Sequence, residues 1–256
     1  MPNNKTRRMK RLFRDNSRTL IVAKDHAGFM DKPLKGMDDA ESAIRKVVSG
    51  GADAIMTTYG TAQRCADAIG SAGLLLSVDT NVNTVGYAVE QALRLGADGL
   101  KCMVYPWMDS DPDSLLHSAC LAAECEKWGM PFLAETIPGG FSGGPEMKTP
   151  EKIAAGARVG AESGADYIKT FYTGDPKSFK VVVNNSSVPV VILGGDKMDT
   201  DRDLLETVRG AMDAGAAGVA MGRNIWSHAD PEAITAGIAA VIHENASADN
   251  ALKLLS

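Results

Sequence analysis

The chain of 256 residues is the length of one large domain or two small ones, since α/β barrels alone reach ~250 residues. Its composition, 45% hydrophobic and 23% charged, suits a globular protein with a substantial core and excludes a disordered or fibrous repeat chain. A formal charge of −5 argues against the broad phosphate-backbone contact of a nucleic-acid binder.

The first element is a short N-terminal helix carrying the one basic run, Lys5-Thr-Arg-Arg-Met-Lys-Arg11. That run reads as a solvated helix face rather than a nucleic-acid arm. Apolar runs bounded by turn residues then give eight strands: Leu20–Ala23, Ala54–Thr57, Leu74–Val78, Gly99–Val104, Phe132–Glu135, Tyr167–Phe171, Val190–Leu193 and Gly218–Met221. Helical stretches lie between them, among them Ala40–Val48, Val85–Leu95, Asp113–Trp128, Pro150–Glu162 and Asp201–Ala214. A junction recurs as Gly51-Ala-Asp53, Gly96-Ala-Asp98, Gly164-Ala-Asp166 and Gly215-Ala-Ala217. In each, glycine takes the left-handed position that ends a helix, and the next residues open a buried strand.

Eight alternating strands and helices predict α/β architecture, a single (β/α)8 TIM barrel occupying residues 1–256 as one domain. The rival open sheet normally shows Gly-x-Gly-x-x-Gly after its first strand, where this chain has Lys24-Asp-His-Ala-Gly28. Cysteines 65, 102, 120 and 125 have no Cys-x-x-Cys spacing and no histidine pair to complete a zinc site, so free thiols and no metal are expected. Without a leader-like apolar stretch or a run of ~18 apolar residues, the expectation is a soluble cytoplasmic protein with neither a membrane nor a nucleic-acid partner.

Reactive groups in such barrels cluster at the C-terminal ends of strands. There the chain offers Asp25, Asp79, Lys101, Glu135 and Lys169. A lysine within a buried strand costs several kcal/mol unless a carboxylate or a lowered pKa compensates. Lys101 and Lys169 each follow a Gly-Ala-Asp junction by three residues, so both ammonium groups should stand at one height with Glu135 between them and Asp25 entering from the first strand. Positive neighbours and burial would lower a lysine pKa and expose the nucleophilic amine. The alternative for either lysine is an ordinary ion pair. The seventh and eighth strands end in Gly194-Gly195 and Gly222-Arg223-Asn224, where glycines let backbone N–H groups approach a phosphate and Arg223 adds charge; tight-turn chemistry is the competing reading.

His26, Asp79 with Asn81 and Asn83, and Tyr172 are further substrate contacts to be tested, against plain turn roles for His26 and the Asx residues. His117, His228 and His243 are scattered. Gly139-Gly-Phe-Ser-Gly-Gly144 is a lid or a linker after the fifth strand.

Across nearly its whole length the chain resembles the class I, Schiff-base aldolases of the archaeal-type fructose-bisphosphate, deoxyribose-phosphate and tagatose-bisphosphate aldolase superfamily. The resemblance rests on Ala23-Lys-Asp25-His26, Ala165-Asp-Tyr-Ile-Lys169-Thr-Phe-Tyr-Thr-Gly-Asp175 and the two glycine turns. It implies an imine-forming Lys169, an active-site Asp25, a sugar-phosphate substrate, no cofactor and a homo-oligomer. Archaeal-type members carry a tyrosine acid before the proline after strand 5, whereas this chain has Ile137-Pro138. Tagatose-bisphosphate and sulfo-sugar phosphate aldolases are similar in pairing a strand-4 lysine with a strand-5 glutamate, which implies Glu135, tuned by Lys101, as proton shuttle.

The expected activity is metal-independent, reversible aldol cleavage of a phosphorylated ketose. Two alternatives stand beside it: thiolase-like acyl transfer from a phosphorylated diketone to coenzyme A, as in a related superfamily member, and a non-catalytic phosphosugar-binding barrel.

Overall fold

A computed structural model describes residues 3–28, 30, 31, 36, 38–78 and 84–255. In chain order the elements are α1 (Asn3–Leu12), β1 (Thr19–Lys24), α2 (Ala40–Ser49), β2 (Ala54–Thr57), α3 (Tyr59–Arg64), α4 (Ala66–Ile69), β3 (Gly73–Ser77) and α5 (Val85–Arg94). There follow β4 (Gly99–Val104), α6 (Ser114–Trp128), β5 (Phe132–Thr136), α7 (Pro150–Glu162), β6 (Tyr167–Thr170) and α8 (Pro176–Asn184). The chain continues with β7 (Val190–Leu193), α9 (Asp201–Asp213), β8 (Gly218–Met221), α10 (Arg223–Trp226), α11 (Pro231–His243) and α12 (Ala248–Leu252). The strands close in sequence order into a parallel eight-stranded barrel, β8 returning to β1. Among the described residues no helix is long and apolar enough to cross a membrane.

Local chemistry explains the element boundaries. Helices α7, α8 and α11 each begin with a capping Thr149, Asp175 or Asp230 followed by proline, and the cap oxygen accepts an N–H of the first turn. Gly51, Gly96, Gly164 and Gly215 all take positive φ, 97°, 71°, 100° and 97°, where a side chain would be strained.

The aspartates of the repeated junctions do more than open strands. Asp53, Asp98 and Asp166 accept the backbone N–H of Leu20, Leu74 and Phe132 at 2.6, 3.0 and 2.8 Å, tying each junction to the start of the preceding strand. Each also binds a cation of the N-terminal segment: Arg14 to Asp53, Arg11 to Asp98 and Lys5 to Asp166. The expectation of a solvated basic face holds for Arg7, Lys10 and Arg11, which are exposed, and is corrected for Lys5. Lys5 is buried at 3% exposure, and its amine bridges Asp166 and Glu126 at 2.9 and 2.6 Å. Leu12 is fully buried among barrel-interior residues, and the Phe13 ring meets Tyr167 edge-on at 5.2 Å. The segment around α1 thus closes the N-terminal face and leaves the opposite face open.

Inside the barrel, registers and pleat define layers. Ile21, Leu75, Leu133 and Val191 of the odd strands form an apolar layer, followed by Met56, Lys101, Lys169 and Ala220 of the even strands. Lys101 pairs with Leu133, which pairs with Tyr167, two residues before Lys169. The stagger of about one residue per strand in such barrels brings the two lysines back to equal height.

Candidate active site

Above that layer, facing the open end, a charged cluster replaces apolar packing. Glu135 is flanked by Lys169 and Lys101, with Lys169 Nζ 2.7 Å from Oε1 and Lys101 Nζ 2.9 Å from Oε2. Lys101 also reaches Asp25 Oδ2 at 3.2 Å and Ser77 Oγ at 3.3 Å. The Ser77 hydroxyl donates to the same Asp25 oxygen at 2.8 Å. The sheet dictates this contact set, because Glu135 lies directly opposite Lys169 and Ser77 directly opposite Lys101.

Burial would raise both carboxyl pKa values, but the ammonium groups reverse that, and Asp25 and Glu135 are held below the ordinary carboxylate range. Burial works against the Lys101 cation too, yet Glu135 and Asp25 raise its pKa above the usual lysine value. This corrects the expectation of a lowered pKa for that residue: two carboxylates in contact outweigh one neighbouring ammonium. Lys101 is a fixed cation. His26, its Nδ1 3.5 Å from Asp25 Oδ1, is pushed down to about 4 chiefly by burial.

A cavity of about 560 Å³ opens beside the cluster, within the ~300–1,000 Å³ of small-molecule sites. Lys169, Glu135, Asp25 and His26 line its middle. One end is made by Gly194, Gly195, Gly222 and Arg223, after β7 and β8. A Cβ on Gly222 would collide with the Ala23 carbonyl oxygen, the His26 ring and the Trp226 indole nitrogen. Gly195 has φ 59° and open space where a side chain would stand. Arg223 is held across this end by Asp196 Oδ1 at 2.9 Å and the Gly195 carbonyl at 2.7 Å. Buried Asn224 braces the β7 loop, donating to Gly194 O and Asp196 O at 3.0 Å each and accepting from Met198 N at 2.7 Å. The other end carries Met103, Tyr105, Phe141, Lys148 and Phe171.

Sequence-based expectations meet this geometry unevenly. Tyr172 is not brought to the cavity. Lys169 and Phe171 face inward, so the next residue faces the helices, where its ring packs edge-on against Phe179 of α8 at 5.2 Å. Asp79, Asn81 and Asn83 lie outside the described residues. The Gly139–Gly144 loop is anchored by bonds from Gly139 N to Pro106 O at 2.8 Å and from Gly140 N to Ile137 O at 2.9 Å, and it delivers Phe141 to the cavity. His243 pairs with Asp53 at 2.8 Å on the N-terminal side, and His228 with Asp201 at 3.1 Å. All four cysteines are free. Among the described residues no cluster of three or more His, Cys, Asp or Glu side chains could hold a metal ion.

Sequence reasoning missed Ser77, Tyr105, Lys148 and a third buried lysine, Lys24. Lys24 donates to Gly36 O at 2.7 Å and lies 5.3 Å from the Trp226 ring, and burial lowers its pKa to about 8. That value alone would nominate it as a nucleophile. Geometry does not: Ala23 and Asp25 line the cavity, and Lys24 between them points the other way, into the helix layer.

A barrel whose open face presents a lysine amine against a buried carboxylate, next to a glycine cradle, defines a lysine-centred enzyme of the TIM-barrel class. The family model described as DeoC/LacD family aldolase matches residues 19–228, and the chain belongs to that family. It is a class I aldolase, a carbon–carbon lyase. A Halobacterium salinarum 2-amino-3,7-dideoxy-D-threo-hept-6-ulosonate synthase is 38% identical over 97% of this chain and 95% of its own length. A Thermoproteus tenax class 1 fructose-bisphosphate aldolase is 31% identical over 94% of this chain and 95% of its own. Among solved structures, a Schiff-base-forming fructose-1,6-bisphosphate aldolase superposes with a TM-score of 0.80 at 31% identity, covering 93% of this chain and 100% of the other.

Proposed function

We propose that the protein catalyses reversible, metal-independent aldol cleavage of a phosphorylated ketose through an imine on Lys169. The observation that carries this reading is the Lys169 amine, 2.7 Å from Glu135 Oε1, at the wall of a cavity whose neighbouring end is the glycine cradle of β7 and β8. The cradle and Arg223 take the phosphate, which sets the ketone beside Lys169. Relatives named for an ulosonate and for a fructose bisphosphate support a keto-sugar substrate.

Glu135 accepts the proton that frees the Lys169 amine, and the amine adds to the ketone carbon. Glu135 returns the proton to the carbinolamine hydroxyl, which leaves as water and gives the iminium. Lys101, which stays protonated, holds Glu135 in place and tunes its basicity. Asp25 or Glu135 then takes the C4 hydroxyl proton, the C3–C4 bond breaks, and its electron pair moves to the iminium nitrogen. The aldehyde leaves, and the enamine is protonated and hydrolysed. The iminium is the electron sink, so this sequence of steps needs no metal.

Incubation with dihydroxyacetone phosphate, borohydride reduction and peptide mapping tests the reading. One adduct on Lys169 is expected, together with cleavage of at least one member of a ketose-phosphate panel that Lys169→Met abolishes. No adduct, or one confined to Lys101 or Lys24, refutes it. Turnover that requires coenzyme A would replace it with acyl transfer from a phosphorylated diketone, and ketose-phosphate binding without adduct or turnover would leave a binding barrel.

A further inference from the structure

The groups around Lys169 are committed at neutral pH: Asp25 and Glu135 as carboxylates, Lys101 as an ammonium and His26 as a neutral ring. Proton acceptors are plentiful. The oxygen that becomes the aldehyde during C–C cleavage also needs a hydrogen-bond donor, because negative charge grows on it as its proton leaves.

Strand β4 brings such a donor to the right end of the cavity. Its inward-facing residues run Lys101, Met103 and, just beyond the strand, Tyr105. The bond from Ile137 N to Val104 O at 2.9 Å continues the pairings of Met103 with Glu135 and Val104 with Thr136, so Tyr105 stands opposite Ile137. Ile137 is fully buried; Tyr105 lines the cavity. The Phe141 ring, edge-on at 6.3 Å, orients the phenol. Its hydroxyl donates to Met103 Sδ at 2.8 Å, a weak acceptor.

Substrate direction brings C4 to this residue. With the phosphate at β7 and β8 and C2 on Lys169 of β6, the chain beyond C3 runs toward β5 and β4. We propose that Tyr105 is a further catalytic residue, its hydroxyl donating a hydrogen bond to the C4 oxygen. This inference rests on the Lys169 reading. In cleavage the C4 hydroxyl proton passes to the carboxylate, the C3–C4 pair moves to the iminium nitrogen, and Tyr105 stabilises the nascent carbonyl oxygen without losing its own proton. In condensation the same bond polarises the incoming aldehyde.

The test is Tyr105→Phe, which keeps the ring and its packing on Phe141. For the ketose phosphate that wild-type cleaves fastest, kcat should fall by about 10²-fold or more with KM little changed. Two steps that do not involve the C4 oxygen should persist: the borohydride adduct of dihydroxyacetone phosphate on Lys169, and solvent-deuterium exchange at C3 of that ketone. Cleavage within about threefold of wild type overturns the proposal, because one such donor contributes far more. A parallel loss of adduct, exchange and cleavage also overturns it, since Tyr105 would then only support the fold. Absence of the adduct in wild type refutes the Lys169 reading itself, and the inference falls with it.

Discussion

Replacing Lys101 by Met nearly conserves volume but removes the cation shared by Asp25 at 3.2 Å and Glu135 at 2.9 Å. At an effective dielectric constant of ~20, each attraction is about 5–6 kcal/mol gross. The cost of burying the charges offsets much of that, and removing one partner of such a cluster typically loses about 3–5 kcal/mol. Glu135 keeps Lys169 at 2.7 Å, whereas Asp25 is left with the Ser77 hydroxyl, the His26 ring and the charge of Lys169, which it does not contact. In the wild type both carboxyl pKa values are depressed, so their stabilisation is fully present above the ordinary carboxylate range and is lost as pH falls below that range toward the depressed values. In Lys101→Met, burial, the largest influence on this carboxyl, should outweigh the remaining attraction of Lys169 and raise the Asp25 pKa above its unfolded value. The native state then takes up a proton that the unfolded state does not, and the variant recovers stability as pH falls toward 5. Urea denaturation at pH 7.5 and 5.5 should show a deficit of about 3–5 kcal/mol at the higher pH, smaller by about 1 kcal/mol or more at the lower, the equivalent of one pKa unit. Wild-type stability at pH 7.5, or an equal deficit at both values, refutes the coupling.

Gly222→Ala should lower stability by about 1–3 kcal/mol through overpacking against Ala23, His26 and Trp226; a thermal melt superimposable on wild type would remove the steric argument for that glycine. His26, with its pKa near 4, should keep the NMR shifts of a neutral imidazole down to about pH 5. Because the unfolded ring binds a proton that the native ring refuses between the ordinary histidine pKa and about 4, His26 lowers stability as pH decreases across that window. His26→Asn should flatten the slope, and a titration midpoint above 6 would contradict the burial effect. Lys5→Ala should cost about 3–5 kcal/mol by leaving Asp166 without its cation, whereas exposed Arg7→Ala should stay within about 0.5 kcal/mol; equal urea midpoints would refute the sealing role of the N-terminal segment.

The barrel was legible because its signals are local and repeated. Left-handed glycines end the helices, short apolar runs follow, and the resulting strand limits agree with the observed ones to within one residue, as at Leu74–Val78 against Gly73–Ser77. The aspartates of the same junctions were not legible as anchors. Their partners Arg11 and Arg14 lie far away in sequence, and a Lys/Arg-rich amphipathic helix looks alike whether its cations meet water or the rim of a barrel. Only the closed ring, which places Asp53, Asp98 and Asp166 on one face, distinguishes the two.

The candidate site divides along the same line. Lys101, Glu135 and Lys169 stand out in sequence because charge inside a buried strand is costly, and their register places them in contact. Residues just beyond strand ends carry no such penalty, so parity decides their fate. Phe171 reaches the cavity while its neighbour Tyr172 packs outward on Phe179. Asp25 joins the charged cluster while Lys24, its amine pushed down to about 8 by burial, braces Gly36 and Trp226. A shift of one residue in β1 would exchange those two roles and present an ammonium where a carboxylate now meets Lys101. The position of each side chain relative to the pleat, more than its intrinsic acidity, therefore selects which amine can meet a substrate, and the same parity puts Tyr105 within the cavity.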